Sequence, residues 1–599
     1  MTEDDALRAL IVVEALKNAV KFNGKANPKA VMGKVLGARA DLRSKVKQVG
    51  PLVGGVVREV NAMSPDDQRK MLLELSPQSL EREKRGPEER ELPPLPGVDE
   101  AGGGGNGRVV MRLAPYPSGA LHVGNARMIV LNDYYVKRYG GKLILAFDDT
   151  IGSPKSKLND PKAKFVIPEA YDLIREGLRW LKVEWHEEVY KSDRLELYYG
   201  YCRELLQRNL AYVCTCPAGE FKKKYKDAGR PCPHRDQGVD AALGQWDDLL
   251  GGKYGEMEAV VRLKTGMDQP DPAVRDQIIM RISEAEHPRV GTRYLVWPML
   301  EFSWAVDDHE LGVTHVIRGA DLVKEDFIEE FVWNLFGWEM AHFLHYGRMK
   351  FPGMNLSKTE GRARIQEGTY LGWHDPRTWS LQSLEARGIL PEALRETLLD
   401  MGLSMTPITV SPDALYAKNQ KMIDANSPRY FYVEAPVPLR VEGAPAEVFV
   451  AEPLLFPPDE ARGRRRVELK ADGGVAEVFL SASDARDLEP GSGLRLKDLF
   501  NVKVTEATKN ATQGPNSWSL VAEFHSKDVD RTLQFPIVQW VPASDNVSCS
   551  ILLPDGRRSK GFAETSVASL GVGTTVQFER FGFARLAATG EELTWFFTH

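Results

Sequence analysis

A short turn-rich run, APYPSGALHVGNAR at residues 114–127, sets small residues, two prolines and one histidine between apolar segments. Gly119 and Gly124 allow a backbone to come close to a ligand, and His122 beside a following helix start can meet an anion. The run holds neither G-x-x-x-x-G-K-[ST] nor G-x-G-x-x-G, so it is neither a Walker A loop nor a dinucleotide fingerprint. A second cluster lies in CTCPAGEFKKKYKDAGRPCPH, where Cys214, Cys216, Cys232 and His234 form two hooks joined by a short basic stretch. Thiolates and an imidazole at this spacing suit tetrahedral zinc, and four protein ligands leave no position for a reactive water, which makes the site structural. The alternative is a set of free thiols with incidental spacing.

The elements around the first run explain its position. RVVMRLAP (108–115) reads as a buried strand ending at proline, NARMIVLNDYYVKRY (125–139) as a helix stopped by Gly140 and Gly141, and KLILAF (142–147) as a second buried strand. Strand, loop, helix and parallel strand make a βαβ unit, with the loop at the carboxyl end of the sheet, where such folds bind ligands. Residues 206–285 interrupt this pattern, which resumes over 293–319; helical segments follow to about residue 430. From RYFYVEAPVPLRVEG onward, short alternating runs separated by Gly, Pro, Asp and Asn predict all-β barrels.

Upstream, ALRALIVVEALKNAV carries Leu7, Leu10, Ile11, Val13 and Leu16 at helical spacing, with a basic polar face that is either an RNA- or partner-contacting surface or a solvated one. Residues 81–107 combine charges, prolines and four consecutive glycines and read as a linker. At 599 residues the chain is too long for one core. No stretch approaches the apolar length of a membrane span and no signal peptide opens the sequence, so a cytoplasmic protein is expected. Five cysteines in such a length are no disulfide framework. A net charge of −6 means that any nucleic-acid contact must use local patches such as FKKKYK (221–226) and RGRRR (462–466).

ALHVGNA and the downstream MNLSKTEG (354–361) resemble the H-I-G-H and K-M-S-K-S signatures of class I aminoacyl-tRNA synthetases, within a P-x-P-S-G-x-L-H context particular to the glutamyl and glutaminyl subgroup. With AFDDT (146–150) and WAVDDHELGVTHVIRG (304–319) the resemblance spans residues 108–599 and is greatest to the archaeal type of glutamyl enzyme. Together with the helical N-terminal domain over 1–80 and the linker over 81–107, it implies a multidomain α/β protein: a Rossmann-type catalytic domain in halves at 108–205 and 286–345, a zinc-containing acceptor-end insert at 206–285, a lysine-loop and helical connecting domain at 346–430, and anticodon-binding β-barrels at 431–599.

The resemblance further implies ATP-dependent attachment of L-glutamate to tRNA(Glu) through glutamyl adenylate by a monomer, with magnesium accompanying ATP and tRNA(Gln) left open as a second acceptor. Joining a carboxylate to the α-phosphate needs little proton transfer, so positioning and charge stabilisation must dominate. Pro115, Gly119, His122, Gly124, Asn125, Ser357 and Lys358 are expected at ATP, His122 and Lys358 as the catalytic pair. Glutamate carries one ammonium and two carboxylates and calls for one acid and two bases. Asp148 resembles the acid for the ammonium, Arg112 with Ala114 leads into the loop, and Arg318 stands where glutamyl enzymes have arginine. The alternative for either arginine is a structural pair with Asp307 or Asp308, for His122 a helix cap, and for Lys358 an exposed loop lysine. The chain departs from the family pattern where Asn125 replaces a histidine, Asn355 a lysine, Leu300 a tyrosine and Trp304 a smaller polar residue, and in AFDDTIGSPK, where the family has R-F-D-D-T-D-P. The rival readings are a glutaminyl enzyme, disfavoured by Arg318 and by APYPSG, and a catalytically weak tRNA-binding relative.

Overall fold

The computed structural model describes residues 3–21, 24–38, 46–75, 91–98, 109–151, 153, 155–157, 165–457, 459–509 and 518–599. The chain divides into two compact units, Met1–Glu91 and Leu92–His599. In the first, α1 (Glu3–Lys21), α2 (Pro28–Ala38), α3 (Val46–Asn61) and α4 (Pro65–Leu75) enclose Ile11, Ala15, Leu16 and Ala19 with Val31, Val53, Val57 and Leu72. The buried amide of Gln68 ties these helices together, donating to Val60 O at 2.8 Å and to Gly24 O at 3.0 Å.

In the second unit the chain lays down β1 (Val110–Leu113), α5 (Val123–Tyr139), β2 (Lys142–Phe147), α6 (Pro168–Trp180), β3 (Glu187–Tyr190) and α7 (Leu195–Gln207). An antiparallel sheet follows: β4 (Ala211–Cys214), α8 (Val239–Leu250), β5 (Val260–Leu263), β6 (Ile278–Ile282) and β7 (Val296–Pro298). The chain then returns through α9 (Leu300–Glu310), β8 (His315–Gly319), α10 (Val323–Phe336) and β9 (His342–Tyr346). The main sheet has the order β3-β2-β1-β8-β9, all parallel. Its inner strands are apolar almost throughout because helices cover both faces. Strand order reverses between β1 and β8, which opens a crevice at the carboxyl end of β1.

Two sequence expectations need correcting here. The linker does not run through residues 91–98: Leu92 and Leu95 are 3% and 2% exposed in the core beside α5. Tyr135 Oη donates to Pro93 O at 2.8 Å, Arg138 Nη1 to Leu92 O at 2.8 Å, and His315 Nε2 to Pro96 O at 2.9 Å. Prolines at 93, 94 and 96 restrict the unfolded chain, so little entropy is lost when the two leucines dock. Residues 81–90 and 99–107 lie outside the described residues. The insert also does not stop at 285, since β7 pairs with β6 in the register Arg281↔Trp297 and extends the antiparallel sheet to Pro298. An apolar run announces a strand; its partner is a matter of tertiary packing.

Beyond the main sheet come α11 (Lys358–Gln366) and a group of helices, then two curled sheets of seven and nine strands. The strand Pro436–Glu442 shows their construction, burying Val437, Leu439 and Val441 while alternate residues face outward. Among the described residues no helix is long and apolar enough to cross a membrane.

Candidate active site and metal centre

The loop after β1 is fastened on both sides. Val123 N donates to Trp379 O at 3.1 Å and Leu381 N to Leu121 O at 2.8 Å, anchoring the end that leads into α5. His122 is the N-cap of α5: its Nδ1 accepts the Gly124 amide at 3.1 Å, and Asn125 Oδ1 accepts the His122 amide at 3.2 Å. This reciprocal cap gives Asn125 a structural duty that an amide oxygen performs well. Burial and the nearby Lys358 ammonium push the His122 imidazole down to about 3. The ring is therefore neutral at pH 7, and with Nδ1 accepting, its proton sits on Nε2 as a donor. Gly119 has φ +148°, and a Cβ there would lie 2.8 Å from Trp373, so only glycine fits.

The second signature meets this loop. Asn355 Oδ1 accepts the Ser357 amide at 3.1 Å, and Ser357 Oγ caps α11 by accepting the Glu360 amide at 3.2 Å. Lys358 opens α11, and its Nζ lies 3.5 Å from Gly119 O. Ala114, Pro115, Tyr116, Ser118, His122, Asn125, Ser357 and Lys358 thus line one cleft of about 430 Å³. Two helix N-termini reach it, each with partial positive charge.

Arg112, Asp148 and Arg318 are not among the residues lining that cleft. Arg112, on β1, pairs with Asp308 of α9 through two bonds, Nε to Oδ1 at 2.5 Å and Nη2 to Oδ2 at 2.8 Å. Arg318, on β8, donates to Glu329 Oε1 at 2.6 Å and also to Asp326, both on α10. Burial raises the Glu329 carboxyl well above the usual range despite this partner. Asp307 is occupied too, by Arg194 and by Tyr198 Oη, each at 2.7 Å. Arg112, Arg318 and Arg194 each have a carboxylate because an unpaired buried guanidinium would be too costly. Trp304 stands among the cations, its ring centroid 4.9 Å from Arg112 Cζ, 5.5 Å from Arg318 Cζ and 5.2 Å from Lys191 Nζ. Leu300 is the first residue of α9.

Two residues of this region were missed by sequence reasoning. Asp149 is a clamp, accepting Tyr171 Oη at 2.7 Å, Ser192 Oγ at 2.7 Å and Ser192 N at 2.8 Å. It fastens the turn after β3 to the end of β2. The other is Lys191, 1% exposed and 3.3 Å from Asp148 Oδ1. Only the β2–β3 register, Phe147↔Tyr190, makes it Asp148's neighbour.

In the insert, one ligand atom from each of Cys214, Cys216, Cys232 and His234 lies within 4.8 Å of the other three. Cys214 Sγ is 3.9 Å from Cys232 Sγ, and Cys216 Sγ is 3.4 Å from His234 Nδ1. Tetrahedral zinc with ordinary bond lengths places sulfurs about 3.8 Å apart and sulfur and nitrogen about 3.6 Å apart, so the donor set fits. His234 Nε2 meets Thr215 Oγ1 at 2.9 Å, an outer contact that turns Nδ1 toward the thiols.

Of the basic patches, Lys222, Lys223 and Lys224 are exposed on the insert. RGRRR is mixed: Arg462, Arg464 and Arg466 are exposed, but Arg465 is buried against Glu564 and Glu579, at 2.9 Å from each, and offers nothing to a phosphate.

A family profile described as tRNA synthetases class I (E and Q), catalytic domain, matches residues 108–425, and two profiles for the anti-codon binding domain of that group match 427–523 and 537–587. The chain is 44% identical over 593 residues to a glutamate–tRNA ligase of Pyrococcus abyssi, with 98% of each chain covered. It is 44% identical to one of Pyrococcus furiosus, covering 96% of each, and 43% identical to one of Methanopyrus kandleri, covering 98% of this chain and 97% of that one.

Proposed function

This chain belongs to the class I tRNA synthetases (E and Q), and on that footing we propose that it attaches L-glutamate to tRNA at the expense of ATP, through a glutamyl adenylate. The observation that carries this reading is likeness at 44% identity to glutamate–tRNA ligases through the catalytic and the anticodon-binding segments alike.

In the first step a glutamate carboxylate oxygen bonds to the α-phosphorus of ATP, and the bond to the bridging oxygen breaks to release pyrophosphate. His122 Nε2–H and the Lys358 ammonium meet the phosphate oxygens, while the starts of α5 and α11 add oriented amides. Gly119 and Gly124 keep the loop low enough for ATP to lie along Pro115 and Asn125, with Ser357 holding Lys358 on its helix. Magnesium arrives with ATP as a counterion of its phosphates. Asp148 takes the glutamate ammonium beside Ala114, and Arg112 and Arg318 supply the positive field for its carboxylates. In the second step a terminal ribose hydroxyl of tRNA attacks the acyl carbon and AMP leaves.

The insert acts as the acceptor-end domain. Zinc, held by Cys214, Cys216, Cys232 and His234, serves there as a cross-link for the hooks around the exposed lysines. The curled sheets of 431–599 receive the anticodon. The protein works as a cytoplasmic monomer, and tRNA(Glu) is its acceptor.

Labelled glutamate and glutamine, offered separately with isolated tRNA(Glu) and tRNA(Gln), test this reading. Glutamate on tRNA(Glu) is the expected product, and glutamate on both acceptors would extend it to tRNA(Gln). Charging of glutamine, or of neither amino acid, would overturn it.

A further inference from the structure

One buried cation has no part in the reaction just described. Lys191 Nζ lies 2.7 Å from Ser303 Oγ and 3.3 Å from Asp148 Oδ1, and the next residue on α9, Trp304, covers the group. The Trp304 Nε1 and the Arg318 Nε are both buried without a hydrogen-bond partner, so this half of the site carries two donors that its own fold does not use. Lysine needs no such place for the strands to pair. Tyr190 and Phe147 are in register, and Lys191 and Asp148 simply leave two adjacent strands together.

We infer that Lys191 is an internal stand-in for the substrate's α-ammonium. It sits on Asp148, the acid that the proposed function assigns to that ammonium, and the inference rests on that assignment. Two ammonium groups cannot share one buried carboxylate, because the low local dielectric strengthens their repulsion. Glutamate therefore enters by exchange: its ammonium takes Asp148, Lys191 withdraws along its flexible four-carbon stem, and Trp304 yields. Lys191 sets the glutamate concentration at which the site fills. It also keeps Asp148 neutralised toward acids that lack an amino group.

The test is Lys191→Gln, which keeps a polar side chain, one bond shorter, and removes the charge. Glutamate and ATP KM values are read in tRNA-dependent ATP–pyrophosphate exchange, and binding of glutamate and of glutarate, which is glutamate without its amino group, is read by calorimetry. The expected result is a glutamate KM lower by about fivefold, an unchanged ATP KM and weaker glutarate binding, so that selectivity for glutamate over glutarate rises by about tenfold or more. A purely structural lysine would shift both acids the same way, and that outcome overturns the inference, as does an unchanged or raised glutamate KM. Ser303→Ala, which removes the other anchor of Nζ, is expected to move selectivity in the same direction by about twofold, and it decides the matter if Lys191→Gln does not fold. Calorimetry needs no turnover: a wild-type protein that never activates glutamate would overturn the proposed function, while the opposed glutamate and glutarate shifts would still judge the stand-in.

Discussion

The two halves that the proposed function gives the active site, one for the nucleotide and one for the amino acid, are made from different materials. The nucleotide half is backbone: capped helix starts, a glycine that admits no Cβ, a neutral histidine and one lysine at the edge of an open cleft. The amino-acid half is side chain: Arg112 on Asp308, Arg318 on Asp326 and Glu329, Lys191 on Asp148, with Trp304 among them. Backbone amides are fixed by the helices that present them and need no compensation when a phosphate is absent. Buried charges must be balanced at all times, so a site for a charged amino acid has to balance itself by internal pairs that the substrate then rearranges. On the proposed assignment the first half is ready for its ligand, and the second is a network that exchanges partners.

That contrast is open to attack by mutation. Asp308→Ala strips Arg112 of both its bonds and leaves a buried cation; unfolding free energy is expected to fall by about 3–5 kcal/mol, read as an earlier denaturant midpoint of the catalytic unit. Lys358→Ala, at the cleft edge, should leave that midpoint within about 0.5 kcal/mol of wild type. It should slow adenylate formation by about 100- to 1,000-fold and spare tRNA affinity. If the lysine variant were destabilised as much as the aspartate variant, or lost tRNA binding in proportion to its rate, the division between a prepared half and a balanced half would fail.

The same contrast governs how much the sequence disclosed. The βαβ unit was readable because its signals are local: KLILAF became β2 at those six residues, and β1 stops at Leu113, two residues before Pro115. His122, Gly119 and Lys358 were readable as types in short motifs, although the cap made by Asn125 appears only when the helix start is seen. The clustering of the cysteine hooks with His234 was readable because residues able to hold a metal come in pairs at fixed spacing. The amino-acid half was readable only in part: Arg112, Asp148 and Arg318 were named, and Arg112 took one of the two aspartates offered as its alternative partner. Arg318 went instead to Asp326 and Glu329, and Lys191, 112 residues from Ser303, was missed, because those pairings depend on strand order and register. The docking of Leu92 and Leu95 was hidden for a related reason, since polyproline composition announces a linker whether or not an apolar groove lies nearby.

The smallest expected effect probes the readiness of the nucleotide half. A histidine that met phosphate as a cation would make ATP binding titrate near neutrality. His122 is instead held down to about 3 by burial and by the Lys358 ammonium. The folded protein thus declines a proton that the unfolded chain accepts near pH 6.5, and the linkage has a definite sign. The stability associated with His122 is fully present above pH 6.5 and is lost as pH falls toward 3. Because the ring is partly exposed, the loss between pH 7 and pH 5 is expected to be only about 1 kcal/mol. His122→Asn keeps an acceptor for the Gly124 amide and should flatten that part of the acid-side slope in denaturant unfolding at the two pH values. ATP KM of the wild type should show no step attributable to this ring between pH 6 and 8. A step there, or an unflattened slope in the variant, would mean that the imidazole titrates within the folded site and that the nucleotide half, like its neighbour, works by charge exchange.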